Sequence, residues 1–131
     1  MLQSDGTPIY LQIAEWIETE ILKGNFQADE KVYSQYKLAE MFTINPATAA
    51  KGLNVLANEN ILYTKRGLGK FVTKEAKAII IHKRKNQKLK GLINEIVMEA
   101  KRLHVREEEL MVMLKKAMKE SGGQSGGSDS L

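Results

Sequence analysis

The 131-residue sequence has no cysteine. Disulfides and thiolate metal sites are excluded, and a reducing interior compartment fits. Its two histidines, His82 and His104, fall on different predicted elements. A metal would therefore need carboxylates to converge on one of them, and neither a metal nor a cofactor is expected. No nucleophile–base pair or paired acid stands out, so an enzyme is not expected. No apolar run approaches a membrane span of about 20 residues. The most apolar stretch, Ala78-Ile79-Ile80-Ile81, ends at His82-Lys83-Arg84-Lys85. The N-terminus lacks the basic-then-apolar order of a signal peptide. Together these absences lead to the expectation of a soluble cytoplasmic protein, not a membrane protein.

Charge is present but unevenly placed. The net charge is only +4. Between Tyr63 and Lys90, however, Lys65, Arg66, Lys70, Lys74, Lys77, Lys83, Arg84, Lys85, Lys88 and Lys90 face a single anion, Glu75. Such a segment in an otherwise slightly acidic chain points to a polyanionic partner. The competing reading is a solvated charged face.

The two prolines both mark helix starts. Thr7-Pro8 reads as a hydroxyl N-cap followed by proline at the first helical position. Ile9, Ile13, Trp16, Ile17 and Ile21 then recur at three and four, one buried stripe. Gly24-Asn25 stops that helix. Lys31-Val32-Tyr33 fits a brief strand. Ser34 caps a second helix running to about Phe42, with Leu38, Ala39 and Phe42 inward. Thr43-Ile44-Asn45 is a short turn, and Asn45-Pro46 opens a third helix reaching about Asn58. Leu53, Val55 and Leu56 are its core candidates. Two strands follow, Ile61–Lys65 and Lys70–Thr73, joined through Gly67-Leu68-Gly69.

Helix, helix, short turn, helix, hairpin is the order of a winged helix-turn-helix. The fold class expected is mostly α: residues 1–74 form a winged helix-turn-helix DNA-binding domain whose basic β-hairpin is the wing. Residues 75–120 form a short two-helix dimerisation tail. Its first stripe is Leu89, Leu92, Ile93, Ile96, Val97, Ala100 and Leu103; its second includes Leu110, Met113, Leu114, Ala117 and Met118. A break falls at His104-Val105-Arg106, and Glu107-Glu108-Glu109 suit the dipole of the following first turn. Gly91 marks a bend or a close helix crossing. The Gly/Ser-rich residues 121–131 are expected to be a disordered tail. A symmetric homodimer would bury each tail stripe twice; packing within one chain is the alternative.

From Pro8 through Val72 the chain resembles the GntR family of bacterial transcriptional repressors. The matching runs are PIYLQIAEWIETEILKG, LAEMFTINPATAAKGLNVLANENILY and KRGLGKFV. The Asn45-Pro46 pair with Thr48, the KRGLG wing and the tail sequence EAKRLHVREEEL are similar to the YtrA-type subfamily. The resemblance implies a cytoplasmic homodimer that binds double-stranded DNA at a near-palindromic operator. It also implies repression of genes such as those for ABC transporters. A small-molecule effector is left unknown. The rival classes are a winged-helix protein-interaction module and a ligand-gated regulator with a pocket in the tail.

The third helix should enter the major groove by its N-terminal end. Asn45, Ala47, Thr48 and Lys51 are its candidate DNA contacts, with Ala50 beside them. Thr48 is expected at a phosphate or base edge, and Lys51 at phosphate or guanine. Pro46, Ala50 and Tyr36 occupy positions where relatives often carry arginine, so bidentate guanine reading is missing there. Ala47 and Ala50 either meet thymine methyls or simply favour the helix. Ser34 and Tyr36 are candidate phosphate contacts. In the wing, Lys65, Arg66 and Lys70 flank Gly67 and Gly69, which let the tip approach a sugar-phosphate backbone. Arg66 either reads a narrow minor groove or binds phosphate. Its relatives also place glycine at position 104, so His104 is expected in a left-handed conformation.

Overall fold

A computed structural model describes residues 2–124. In order they form α1 (Ile9–Leu22), α2 (Gln35–Phe42), α3 (Pro46–Asn58), β1 (Leu62–Lys65), β2 (Gly69–Val72) and α4 (Ala76–Lys83). A π-helical segment (Arg84–Leu89), α5 (Lys90–Arg102) and α6 (Glu107–Gln124) follow. The chain divides into two compact units between Lys85 and Asn86. The mostly helical fold with one hairpin is that of a winged helix.

Helix α1 begins one residue later than expected. Pro8 is its N-cap, in an extended conformation (φ −55°, ψ 143°), so proline is not the first helical residue. Its carbonyl accepts from the N–H groups of Leu11 and Gln12, each at 3.1 Å. The Gln12 amide donates to the Thr7 carbonyl at 2.9 Å, a tether in place of the expected hydroxyl cap. Ile13, Ala14, Ile17, Glu18 and Ile21 are buried. Ile9 is exposed. Trp16 is half-buried and meets the Phe42 ring edge-to-face at 5.2 Å.

Both later caps form as expected. Ser34 Oγ accepts the Lys37 N–H at 3.1 Å, and Asn45 Oδ1 accepts the Ala47 N–H at 2.8 Å with Pro46 at the first helical position. Helix α3 buries Ala49, Gly52, Leu53 and Leu56. Gly52 fixes how closely α1 and α3 approach. A Cβ there would stand 2.7 Å from the Tyr10 carbonyl oxygen and 3.3 Å from Ile13 Cβ, inside van der Waals contact with rigid backbone.

The hairpin pairs Leu62 with Val72, Tyr63 with Phe71, Thr64 with Lys70 and Lys65 with Gly69. Leu62 and Val72 enter the core, beside buried Ile61. Phe71 does not join them, because successive strand residues face opposite sides. It stacks on Tyr63 at 5.8 Å on the outer face. The segment expected as a strand at Lys31-Val32-Tyr33 makes one bridge, Lys31 to Phe71, on the free edge of β2. Hydrogen bonds from Val32 N–H to Lys70 O (3.0 Å) and Val72 N–H to Glu30 O (2.9 Å) flank it.

Helix α4 belongs with the winged unit, which therefore extends past residue 74. Ala76 and Ile80 are buried in its core. The same face, continued by three and four residues, carries Lys83 and Arg84. Both meet Glu18, which is only 1% exposed. Arg84 Nε donates to Glu18 Oε1 at 3.1 Å, and Lys83 Nζ donates to Glu18 Oε2. Lys83 also reaches Glu59 Oε1 at 2.7 Å, just past α3. Arg84 adds bonds to the Glu15 carbonyl (2.8 Å) and Thr19 Oγ1 (2.9 Å). Two cations of the basic run are thus internal fasteners. Burial opposes the charge on Lys83, but its bonds to Glu18 and Glu59 outweigh burial and hold its pKa above the usual lysine value.

In the second unit, α5 ends at a left-handed His104 (φ 56°), as the resemblance implied. The Val105 N–H returns to the Ala100 carbonyl at 2.8 Å. Helix α6 reaches Gln124, so residues 121–124 of the expected disordered tail are helical; residues 125–131 lie outside the described residues. A Cβ at Gly91 would meet nothing within 4 Å, so among the described residues it marks no close crossing. The helical irregularity lies in the preceding π segment. Among the described residues no helix is long and apolar enough to cross a membrane.

Two substitutions test this packing. Gly52→Ala should destabilise by about 1–3 kcal/mol in urea unfolding, because overpacking outweighs the helix propensity gained. Glu18→Gln should cost about 2 kcal/mol or more, leaving two cations facing a neutral group. The raised Lys83 pKa also sets a pH window. Its contribution is full below the usual lysine pKa of about 10.4 and is lost as pH rises through the higher folded value. The thermal midpoint of the parent protein should therefore fall more steeply across that alkaline range than that of Lys83→Met.

Candidate nucleic-acid interface

Helices α2 and α3 are joined by a three-residue turn. Thr43 takes a left-handed conformation (φ 55°), and the Ile44 N–H closes on the Ala39 carbonyl at 3.0 Å. With its inner face committed to the core, α3 turns Ala47, Lys51, Asn54 and Asn58 outward. These follow a four-three-four spacing, one stripe on the helix. Thr48 and Ala50 are half-buried at its margin, so Ala50 is less available than Ala47. Asn54 was not among the expected contacts. Its spacing from Ala47 and Lys51 was the available signal, and an asparagine can bond adenine through two atoms.

Lys51 is not a free arm. Its ammonium lies over the Tyr10 ring, 4.2 Å from the centroid, so α1 positions the one cation of the outward stripe. Ser34 and Asn45 are exposed but engaged as caps. Tyr36 is 69% exposed on α2. These polar side chains and the α3 stripe belong to one compact unit with the wing.

The wing turns through Arg66-Gly67-Leu68. Gly67 has φ 79° and Gly69 φ 119°, conformations that favour glycine. Leu68 stands 61% exposed at the tip, beside exposed Arg66. Strand alternation places Lys70 on one face of the hairpin and Lys65 on the other. Lys70 Nζ donates to Thr64 Oγ1 at 2.9 Å. The Lys65 ammonium lies 4.5 Å from the Phe71 centroid. The Tyr63 hydroxyl donates to Asp29 Oδ1 at 2.8 Å. That bond, ahead of partial burial and the carboxylate charge, raises the Tyr63 pKa.

The tail carries the other candidate surface. Leu89, Leu92, Ile93, Ile96, Val97 and Leu114 are exposed, and Leu110 is half-buried. Ala100 is buried within its own chain and is unavailable to a partner. Leu89 lies in the π segment instead of α5.

Residues 9–72 match the profile of the bacterial regulatory proteins of the gntR family. HTH-type transcriptional repressor YtrA of Bacillus subtilis is 30% identical over 118 residues, which cover 88% of this chain and 90% of that protein. The chain belongs to the GntR family. HTH-type transcriptional repressor NagR, also from Bacillus subtilis, is 42% identical over 67 residues, 51% of this chain, but the match spans only 28% of NagR. A GntR family transcriptional regulator from Listeria monocytogenes has the same fold. It gives a TM-score of 0.70 at 32% identity, covering 87% of this chain and 98% of that one. AraR(DBD), solved in complex with operator ORE1, gives 0.51 at 30% identity over 56% of this chain and 90% of that one. This GntR-family chain is a transcriptional regulator with a winged-helix DNA-binding domain, not an enzyme.

A double-mutant cycle checks the Tyr10–Lys51 contact. Tyr10→Leu and Lys51→Met, singly and together, should give a coupling of about 0.5–1 kcal/mol in urea unfolding, the range of an exposed cation–π pair.

Proposed function

We propose that this protein is a repressor that binds a near-palindromic operator as a homodimer in the cytoplasm. The carrying observation is the wing, whose two faces and tip bear Lys70, Lys65 and Arg66 in the same compact unit as the outward stripe of α3. Helix α3 would lie in a major groove, with Ala47, Lys51 and Asn54 toward base edges and Thr48 near the backbone. Ser34, Tyr36 and Asn45 would border the phosphates. Arg66 would enter the adjacent minor groove, with Gly67 allowing the turn. That AraR(DBD), a relative of this fold, was solved in complex with operator ORE1 supports operator binding.

Dimerisation rests on the tail. Exposed apolar residues on α5 and α6 are numerous for a chain of this size, including Leu92, Ile93, Ile96 and Leu114. A two-fold partner would cover them and present two recognition helices to two half-sites. Control of ABC-transporter genes is proposed from the likeness to the YtrA-type subfamily. Transcript levels of neighbouring transporter genes should rise when the protein is deleted; unchanged levels would remove that assignment.

Selection of binding sites from random DNA, followed by sequencing, tests the reading. An inverted repeat should emerge; failure to enrich any sequence would count against an operator-binding repressor. If the dimer neutralises about six phosphates, log K should fall with log salt at a slope near −5. A slope near zero would sink DNA binding itself. Leu92→Glu with Ile96→Glu should halve the mass in sedimentation equilibrium; an unchanged mass would refute the tail as the dimer surface.

A further inference from the structure

Lys31 lies outside the hairpin and outside the basic run, in the segment before α2. Its backbone nevertheless bridges Phe71 on the free edge of β2. Bridged residues share a face, so Lys31 joins Tyr63, Lys65, Gly69 and Phe71 on the outer side of the wing. Its side chain then runs along the strand toward the tip. A Cβ on Gly69 would stand 2.9 Å from Lys31 Cε and 3.7 Å from its Nζ. The missing side chain at Gly69 is therefore the channel through which Lys31 reaches the tip. Lys31 is exposed, and among the described residues its ammonium has no carboxylate partner.

We propose that Lys31 is a fourth cation of the wing and binds a DNA phosphate. Together with Lys65 it furnishes the outer face, while Lys70 furnishes the inner face. A hairpin lodged in a minor groove lies between two phosphate chains, and cations on both faces match that geometry. Without Lys31 the outer face offers only Lys65, whose charge already rests on Phe71. Lysine is a point charge on a flexible stem, suited to phosphate and not to base reading. Its loss should weaken binding evenly across sequences. This inference rests on the DNA-binding reading above.

The test is fluorescence anisotropy on labelled duplexes of mixed sequence, titrated over a range of salt. The full-length protein is compared with Lys31→Ala, Lys31→Arg and Lys23→Ala. Lys23 serves as a remote cation, paired with Glu20 at 3.7 Å. Lys31→Ala should weaken binding about tenfold and make the salt slope shallower by about one per protomer. Lys31→Arg should restore both, and Lys23→Ala should leave both unchanged. A parental slope retained in Lys31→Ala overturns the assignment of Lys31 while leaving DNA binding intact. Absence of salt-dependent binding by the parent protein overturns the DNA-binding reading and this inference together.

Discussion

The winged unit depends on one buried anion. Glu18 sits on the inner face of α1, among isoleucines, where an unpaired carboxylate would cost several kcal/mol. Lys83 and Arg84 each take one of its oxygens, and Lys83 continues to Glu59 beyond the end of α3. The last turn of α4 is thereby tied to α1 and to the exit of α3. An ion pair of this kind adds little net stability over apolar packing. Its effect is positional: α4 must lie where all three ion pairs, Lys83–Glu18, Lys83–Glu59 and Arg84–Glu18, form together.

Helix α1 is in turn the platform for α3. Gly52 lets the two backbones come close, and Tyr10 on α1 holds the ammonium of Lys51. The N-terminal end of α3 is sparse in hydrogen-bonding reach, with proline at 46 and alanine at 47. Charge is concentrated instead on the wing, where Lys65 and Lys70 are braced. Lys65 rests on Phe71, and Lys70 bonds Thr64. Asp29 and Tyr63 pin the outer face to the loop that supplies Lys31. The wing therefore acts as a stiffened blade more than as a loose basic loop.

Much of this was readable in the sequence, because local signals agreed with one another. Ser34 and Asn45-Pro46 specify their helix starts by short-range hydrogen bonding that tertiary structure does not disturb. The three-four spacing of Ile13, Ile17 and Ile21 marks the buried face of α1. His104 lies left-handed where the family resemblance placed a glycine. What escaped was non-local. Glu18 reads as one more charge on a helix until residues more than sixty positions away supply its partners. Lys83 and Arg84 sat inside a basic run whose composition pointed outward. Gly52 is conspicuous only once Tyr10 lies across from it. Phe71 is as hydrophobic as its core neighbours, yet strand alternation commits it to the other side. Asn54 follows the same periodicity as Lys51 but lies beyond the helix N-terminus, where groove contacts are expected.

The ring beneath Lys51 bears on how the protein would leave DNA as well as how it would bind. A base-edge acceptor that drew this ammonium away from Tyr10 would gain only the difference between two attractions. On dissociation the cation returns to a partner already in place, with no unsatisfied intermediate. The trade lowers the penalty of letting go. For a regulator that must sample many incorrect sites before its own, a charge on α3 held on such terms would favour short residence on each of them.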